Sequence, residues 1–306
     1  RLMFMKNKVV IIGCGNVGLS YAYSLLNQKT SVLELVLIDV NKEKTLGEVM
    51  DLNHGLPFAP SKINIRVGDY SEVEDAKIIV IAAGASQEKG ETRLDLIDKN
   101  ARIFKNIISE VNKNHFKGIF LVATNPVDAM SYLTWKYSNF DYSRVIGTGT
   151  SLDTARLRYM IGESVSVNSK NVHAYVIGEH GDSEFVLWSN ANIGLQNMRD
   201  FLSKSQMNEI ENSVRNAAYD IIDKKGNTCY GIGMCLTRIT NAILNNESSI
   251  ITVSTYDSTN DVYISLPCVI NEEGIKEKIF VTLNENETYK LQNSINIIKD
   301  AIQNVK

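Results

Sequence analysis

Lys8-Val9-Val10-Ile11-Ile12-Gly13-Cys14-Gly15-Asn16-Val17-Gly18 decides the architecture of this 306-residue chain. Its first five residues form a short, branched, apolar run, the pattern of a strand covered on both faces in a parallel sheet. Three glycines follow in the order GxGxxG, and Leu19 to Asn27 then reads as a helix. Gly13 permits a tight turn, Gly15 lets the backbone approach a pyrophosphate, and Gly18 lets the helix pack close to the strand. The phosphates would lie at a helix N-terminus, where free N–H groups and the helix dipole favour negative charge. A second apolar run, Glu34-Leu35-Val36-Leu37-Ile38, ends at Asp39, 21 residues beyond Gly18. A carboxylate there can accept hydrogen bonds from both ribose hydroxyls and repels a 2′-phosphate, which favours NAD over NADP.

The same rhythm continues outward. Lys77 to Ala83 and Gly118 to Ala123 are further buried-strand runs, and between them Ile97, Ala101, Phe104, Ile108 and Val111 form one helical stripe. Strand and helix alternating in this way predict right-handed crossovers and a doubly wound, Rossmann-type parallel sheet over residues 1–147. Past Gly147 the pattern changes, and residues 148–306 are expected to form an α+β substrate domain. Val172 to Ile177 reads as a strand, and residues 250–254, 261–266 and 278–283 as an antiparallel group. Leu291, Ile295, Ile298, Ile302 and Val305 share the face of a final helix.

Composition narrows the function. With 32 basic and 35 acidic residues, the net charge of −3 leaves no basic excess for binding nucleic acid through its phosphates. No 18-residue apolar stretch predicts a membrane span, and no secretory signal pattern is expected at the start. Cys14, Cys229, Cys235 and Cys268 form no CxxC pair and have no histidines at zinc-site spacing. No metal is expected, and the thiols suit a reducing, cytoplasmic setting.

Four polar stretches exceed what a dinucleotide fold alone requires: Gly84 to Arg93, Thr124-Asn125-Pro126-Val127-Asp128, Leu152-Asp153-Thr154-Ala155-Arg156-Leu157-Arg158, and Gly178-Glu179-His180-Gly181-Asp182. With the glycine loop, their order and separation make the chain similar to the lactate/malate dehydrogenase family along essentially its whole length. That resemblance implies reversible hydride transfer between NADH and pyruvate, giving L-lactate. It makes His180 the acid/base, since imidazole titrates near neutrality. It makes Asp153 the carboxylate on the other ring nitrogen, and Arg156 the guanidinium that grips the substrate carboxylate. Arg93 would stabilise charge developing on the carbonyl oxygen, with Asn125 donating to the same atom. Thr228 would touch substrate, and Ile232 would cover the nicotinamide. The cofactor contacts implied are Gly13, Gly15, Val17, Gly18, Asp39, Lys44, Tyr70, Gly84, Ala85, Asn106, Ala123, Asn125 and Thr148.

Gln87, six residues before Arg93, matches the family's specificity position, where malate enzymes carry arginine. A neutral glutamine leaves the second carboxylate of oxaloacetate unpaired, at a cost of several kcal/mol, so pyruvate is expected over oxaloacetate, while branched 2-keto acids stay open as the alternative. Gly84 and Gly90 bracket a loop expected to close as a lid. Arg158 and His173 resemble the effector site of bacterial members activated by fructose 1,6-bisphosphate, which implies a homotetramer with a two-fold phosphate site.

Overall fold

The alternation of branched apolar runs with amphipathic ones produces, in order, β1 (Lys8–Ile12), α1 (Asn16–Asn27), β2 (Glu34–Ile38), α2 (Lys42–Gly55), β3 (Asn64–Val67), β4 (Ile78–Ile81), α3 (Arg93–Lys113), β5 (Ile119–Val122), α4 (Val127–Ser138) and β6 (Val145–Gly147). The computed structural model describes residues 7–85, 93–303 and 305, and for Arg93 and Leu94 the backbone only. The second half runs α5 (Ser151–Val165), β7 (Val172–His173), β8 (Val176–Ile177), β9 (Phe185–Val186), β10 (Asn192–Ile193), β11 (Gln196–Asn197), α6 (Lys204–Lys225), α7 (Tyr230–Leu244), β12 (Ser249–Asp257), β13 (Val262–Asn271), β14 (Gly274–Lys278) and α8 (Glu285–Gln303).

Six parallel strands take the order β3-β2-β1-β4-β5-β6, the doubly wound arrangement expected of the first half. The order reverses between β1 and β4, and in such sheets ligands bind beyond the carboxyl ends of the strands at that point. Both sheet faces are covered, which is why β1 has no polar alternation. Val9 and Ile11 pack with Leu25, Leu37 and Leu236 on one side, whereas Val10 and Ile12 pack with Phe104, Phe120 and Met130 on the other. The predicted stripe of α3 supplies that second side, with Ile97, Ala101, Phe104, Ile108 and Val111 all buried.

The antiparallel strands do not make a separate sheet. Ser254 of β12 pairs with Gly147 of β6, so β12, β13 and β14 extend the parallel sheet to nine strands. Helix α7 also crosses back onto the first half, against α1. Gly233 lies at a close approach of that crossing, where a Cβ would stand 2.7 Å from the Ser20 carbonyl oxygen. A hydrogen bond of 2.6 Å between the Tyr21 and Thr240 hydroxyls joins the same two helices. The site therefore sits on a continuous frame.

Two local expectations are corrected. Val172 to Ile177 is not one strand: β7 pairs with β10 and β8 with β9. The Ala174 carbonyl between them accepts from Arg158 Nε at 3.1 Å, which takes it out of any ladder. The third strand of the antiparallel group lies at Gly274–Lys278, earlier than 278–283. It follows the turn after β13 directly, and the chain then leaves the sheet with Phe280 fully exposed.

Candidate active site

The carboxyl ends of β1, β4, β5 and β6 bring the glycine loop, Ala83 to Ala85, Thr124-Asn125 and Thr148 to one edge. A Cβ on Gly13 would come within 2.3 Å of the Ala83 main-chain nitrogen, and one on Gly18 within 2.1 Å of the Gly13 carbonyl oxygen. Gly15 differs: it caps α1 without a side chain, is exposed, and has open space where its Cβ would be. Among the described residues, the space beside Gly15 at the start of α1 is thus open, as a pyrophosphate requires. Asp39 accepts from Cys14 N at 2.7 Å and from Asn41 N at 3.0 Å, which fixes its carboxylate beside the loop. These residues fit a dinucleotide.

The other predicted contacts are more scattered, and Asn106, thirteen residues into α3, is not brought to that edge by any contact of the described residues. Thr148 is buried, with its amide on the Val122 carbonyl, and Ala123 is half-buried. Tyr70 packs against the α3 side of the sheet, Lys44 is exposed in the first turn of α2, and Asn106 is exposed on α3. Gly84 and Asn125 are exposed, and their loops are joined by the Thr124 hydroxyl on the Ala83 carbonyl at 2.7 Å and by Asn100 of α3. Fully buried Asn100 accepts from Ala85 N at 2.8 Å and donates to the Asn125 carbonyl at 3.0 Å. The motifs leave it unassigned, although a polar side chain beside Ile97 and Ala101, on the buried stripe of α3, is a signal in itself.

The second half delivers its chemistry to that edge. After β8, Gly178 exchanges two backbone hydrogen bonds with Ser265 of β13, anchoring the loop that carries His180. The His180 amide donates to Asp128 Oδ2 at 2.8 Å, and Ser254 donates to Asp128 Oδ1 at 2.5 Å. Asp128 lies in the first turn of α4, three residues past Asn125, so it ties the histidine loop to the end of β5. His180 Nδ1 meets Asp153 Oδ2 at 2.7 Å, and Arg156 Nη1 donates to Asp153 Oδ1 at 2.8 Å. The Asp153 side chain is 2% exposed and that of His180 25%, so the imidazole reaches solvent while its carboxylate does not.

The electrostatics follow from this arrangement. Burial alone would disfavour the charged imidazole, but the Asp153 carboxylate overrides it and raises the His180 pKa to about 9. Burial likewise opposes ionisation of Asp153, yet the charges of His180 and Arg156 hold it below its ordinary value. Burial pushes Asp128 up to about 6, against the hydrogen bonds from Ser254 and His180 N. With Nδ1 engaged by Asp153, Nε2 is the nitrogen left to exchange a proton with a ligand.

Thr228 is half-buried in the loop between α6 and α7, and Ile232 is half-buried on α7 against the α1 side of the core. Arg158 lies with its guanidinium 4.8 Å from the Tyr175 ring centroid, and exposed His173 is two residues from that tyrosine. Gln87 and Gly90 lie outside the described residues, as does the side chain of Arg93.

A glycine-loop cradle whose carboxyl edge abuts a carboxylate-backed imidazole defines an NAD-linked dehydrogenase. More narrowly, the chain belongs to the lactate/malate dehydrogenase family. Residues 7–147 match the family's NAD binding domain and residues 150–306 its alpha/beta C-terminal domain. The chain is 51% identical to an L-lactate dehydrogenase of Bacillus pumilus, over 97% of each chain. It is 52% identical to one of a Geobacillus species, over 97% of this chain and 96% of the other. Among solved structures, it matches a lactate dehydrogenase from a Medee basin deep-sea metagenome library, with TM-score 0.95, 49% identity and coverage of 97% and 98%. The minor L-lactate dehydrogenase of Enterococcus mundtii in its ligands-bound form also gives TM-score 0.95, at 41% identity and 98% of each chain.

Proposed function

We propose that this protein interconverts pyruvate and L-lactate with NAD, residues 1–147 holding the cofactor and residues 148–306 supplying the substrate chemistry. The hydrogen-bonded set Arg156–Asp153–His180, tied through Asp128 to the cofactor edge, is the observation that carries the reading. Gly13, Gly15, Val17, Gly18 and Asp39 would hold the pyrophosphate and adenosine ribose, with Ile232 against the nicotinamide. Bound NADH supplies the hydride that reduces the keto carbon. His180 donates its Nε2 proton to the carbonyl oxygen as that oxygen gains charge. Asp153 holds the ring by Nδ1 and keeps it charged at neutral pH, so the proton is in place before the ketone arrives. Arg156 uses one N–H on Asp153 and has others for the substrate carboxylate. Arg93 and Asn125 would stabilise the developing oxyanion, and Thr228 would contact the substrate.

Substrate choice rests on Gln87, and an NADH-oxidation assay across pyruvate, oxaloacetate and 2-ketoisocaproate tests it. Pyruvate is expected to give the highest kcat/KM. A preference for oxaloacetate would overturn the reading of Gln87, and one for 2-ketoisocaproate would make the enzyme a branched 2-hydroxy-acid dehydrogenase.

Arg158 and His173 form the candidate effector site. Two such pairs meeting across a two-fold axis would hold the phosphates of fructose 1,6-bisphosphate and favour the assembled homotetramer. The expected result is a lower apparent KM for pyruvate when the bisphosphate is added. Identical saturation curves with and without it would remove the effector site. No helix among the described residues is long and apolar enough to cross a membrane. The four free cysteines accord with the cytoplasm.

A further inference from the structure

Beside the Asp153–His180 pair lies a third titratable group that the mechanism does not use. Glu184 is 5% exposed, in the turn that closes the histidine loop, where its amide donates to the Gly181 carbonyl at 3.1 Å. One carboxylate oxygen of Glu184, one of Asp153 and a ring nitrogen of His180 all lie within 4.8 Å of one another. We propose that Glu184 is a positioning residue of this site: a neutral carboxylic acid that donates its proton to Asp153 and thereby sets how strongly Asp153 holds the His180 imidazole.

Two buried carboxyls this close do not both ionise, so one keeps a proton. The surroundings decide which. Asp153 has Arg156 on one oxygen and His180 on the other, and both favour its charge. Glu184 has weaker support: His180 and Arg156 act on it only at a distance, the Arg215 guanidinium from α6 reaches its main-chain carbonyl at 3.2 Å, and its carboxyl faces the Asp153 charge. Burial first, and Asp153 second, hold Glu184 well above the usual carboxylate range, outweighing the cations of His180 and Arg156. Asp128 from α4 also acts on the imidazole, Glu179 of the histidine loop acts on Asp128, and Cys235 of α7 lies near Asp153. With Glu184 protonated, Asp153 is a carboxylate with three donors rather than two. Each added donor weakens its pull on the imidazolium, which keeps His180 a strong enough acid to release its proton.

The inference rests on the reading of His180 and Asp153 as the proton-delivering pair, but its direct test is independent of turnover. Infrared difference spectra of the full-length wild type and Glu184→Gln at pH 7 should show a protonated carboxylic acid band present only in the wild type. No difference in that band means that Glu184 is ionised and overturns the proposal. Kinetics give a second readout. Glu184→Gln keeps a neutral donor, so the alkaline limb of pyruvate reduction should stay where it is. Glu184→Leu removes the donor, so Asp153 should hold the imidazolium proton more tightly. The limb should then move to higher pH, and kcat/KM for lactate oxidation at pH 8 should fall about 10-fold. A limb that moves to lower pH in Glu184→Leu would identify Glu184 as an anion, and an unmoved limb in a variant that melts and binds NADH like the wild type would make it a filler. Either result overturns the proposal.

Discussion

His180→Asn is expected to lower kcat/KM for pyruvate by about 10²–10⁴-fold, the usual contribution of a positioned proton donor. The loss should fall on the chemical step. The loop is held by the His180 amide on Asp128 and by Gly178 on Ser265, and neither contact involves the imidazole. NADH binding, followed by fluorescence, should therefore stay near the wild-type value. The pH profile separates proton donation from shape. Reduction of pyruvate needs the charged ring, so wild-type kcat/KM should hold steady at neutral pH and fall as pH rises through about 9. Oxidation of lactate needs the neutral ring and should rise over the same range. Both limbs should vanish in His180→Asn. A variant that keeps activity within a few-fold of wild type, with the limb intact, would show that another group moves the proton.

The parts of this fold legible in the sequence are those fixed by neighbours along the chain. The β1 run, the glycine loop and the stripe of α3 each specify their own local geometry, and Asp39 follows from the length of one strand-helix-strand crossover. Several motifs in order identified His180, Asp153 and Arg156 as members of one site. Contacts between distant segments left weaker marks. Asp128 stands in a quoted motif, but nothing in the sequence says that its carboxylate accepts the amide of His180, 52 residues away. Glu184 precedes an apolar run and carries no periodicity, so its burial beside Asp153 shows only in three dimensions. The break between β7 and β8 is similar: a continuous apolar run looks like one strand until Arg158, from another element, takes the carbonyl at its middle.

Asp153→Asn is expected to have a comparable effect by a different route. The carboxylate is buried and uses both oxygens, one on Arg156 Nη1 and one on His180 Nδ1. Asparagine offers one acceptor and one donor in the same space. If its oxygen faces Arg156, its amide N–H points at Nδ1 and forces that nitrogen to accept, which the charged ring cannot do. If the oxygen faces His180, the new amide N–H and the Arg156 N–H oppose each other, and a guanidinium only 12% exposed loses its counter-charge. Breaking a buried pair by removing one partner costs about 3–5 kcal/mol, so kcat/KM for pyruvate should fall by roughly 10²–10⁴-fold. The accompanying pH shift has a definite sign. Without the carboxylate, the largest influence opposing burial at His180 is gone and only Glu184 and Asp128 still favour its charge, so the alkaline limb should move down from about 9 toward the ordinary 6.5. That direction is opposite to the one expected of Glu184→Leu, where Asp153 remains and pulls harder. Steady-state pH profiles of both variants against the wild type read the two shifts together. If Asp153→Asn leaves the limb near 9, the charge that holds the imidazole proton comes from elsewhere, and Glu184 and Asp128 are the acids to examine next.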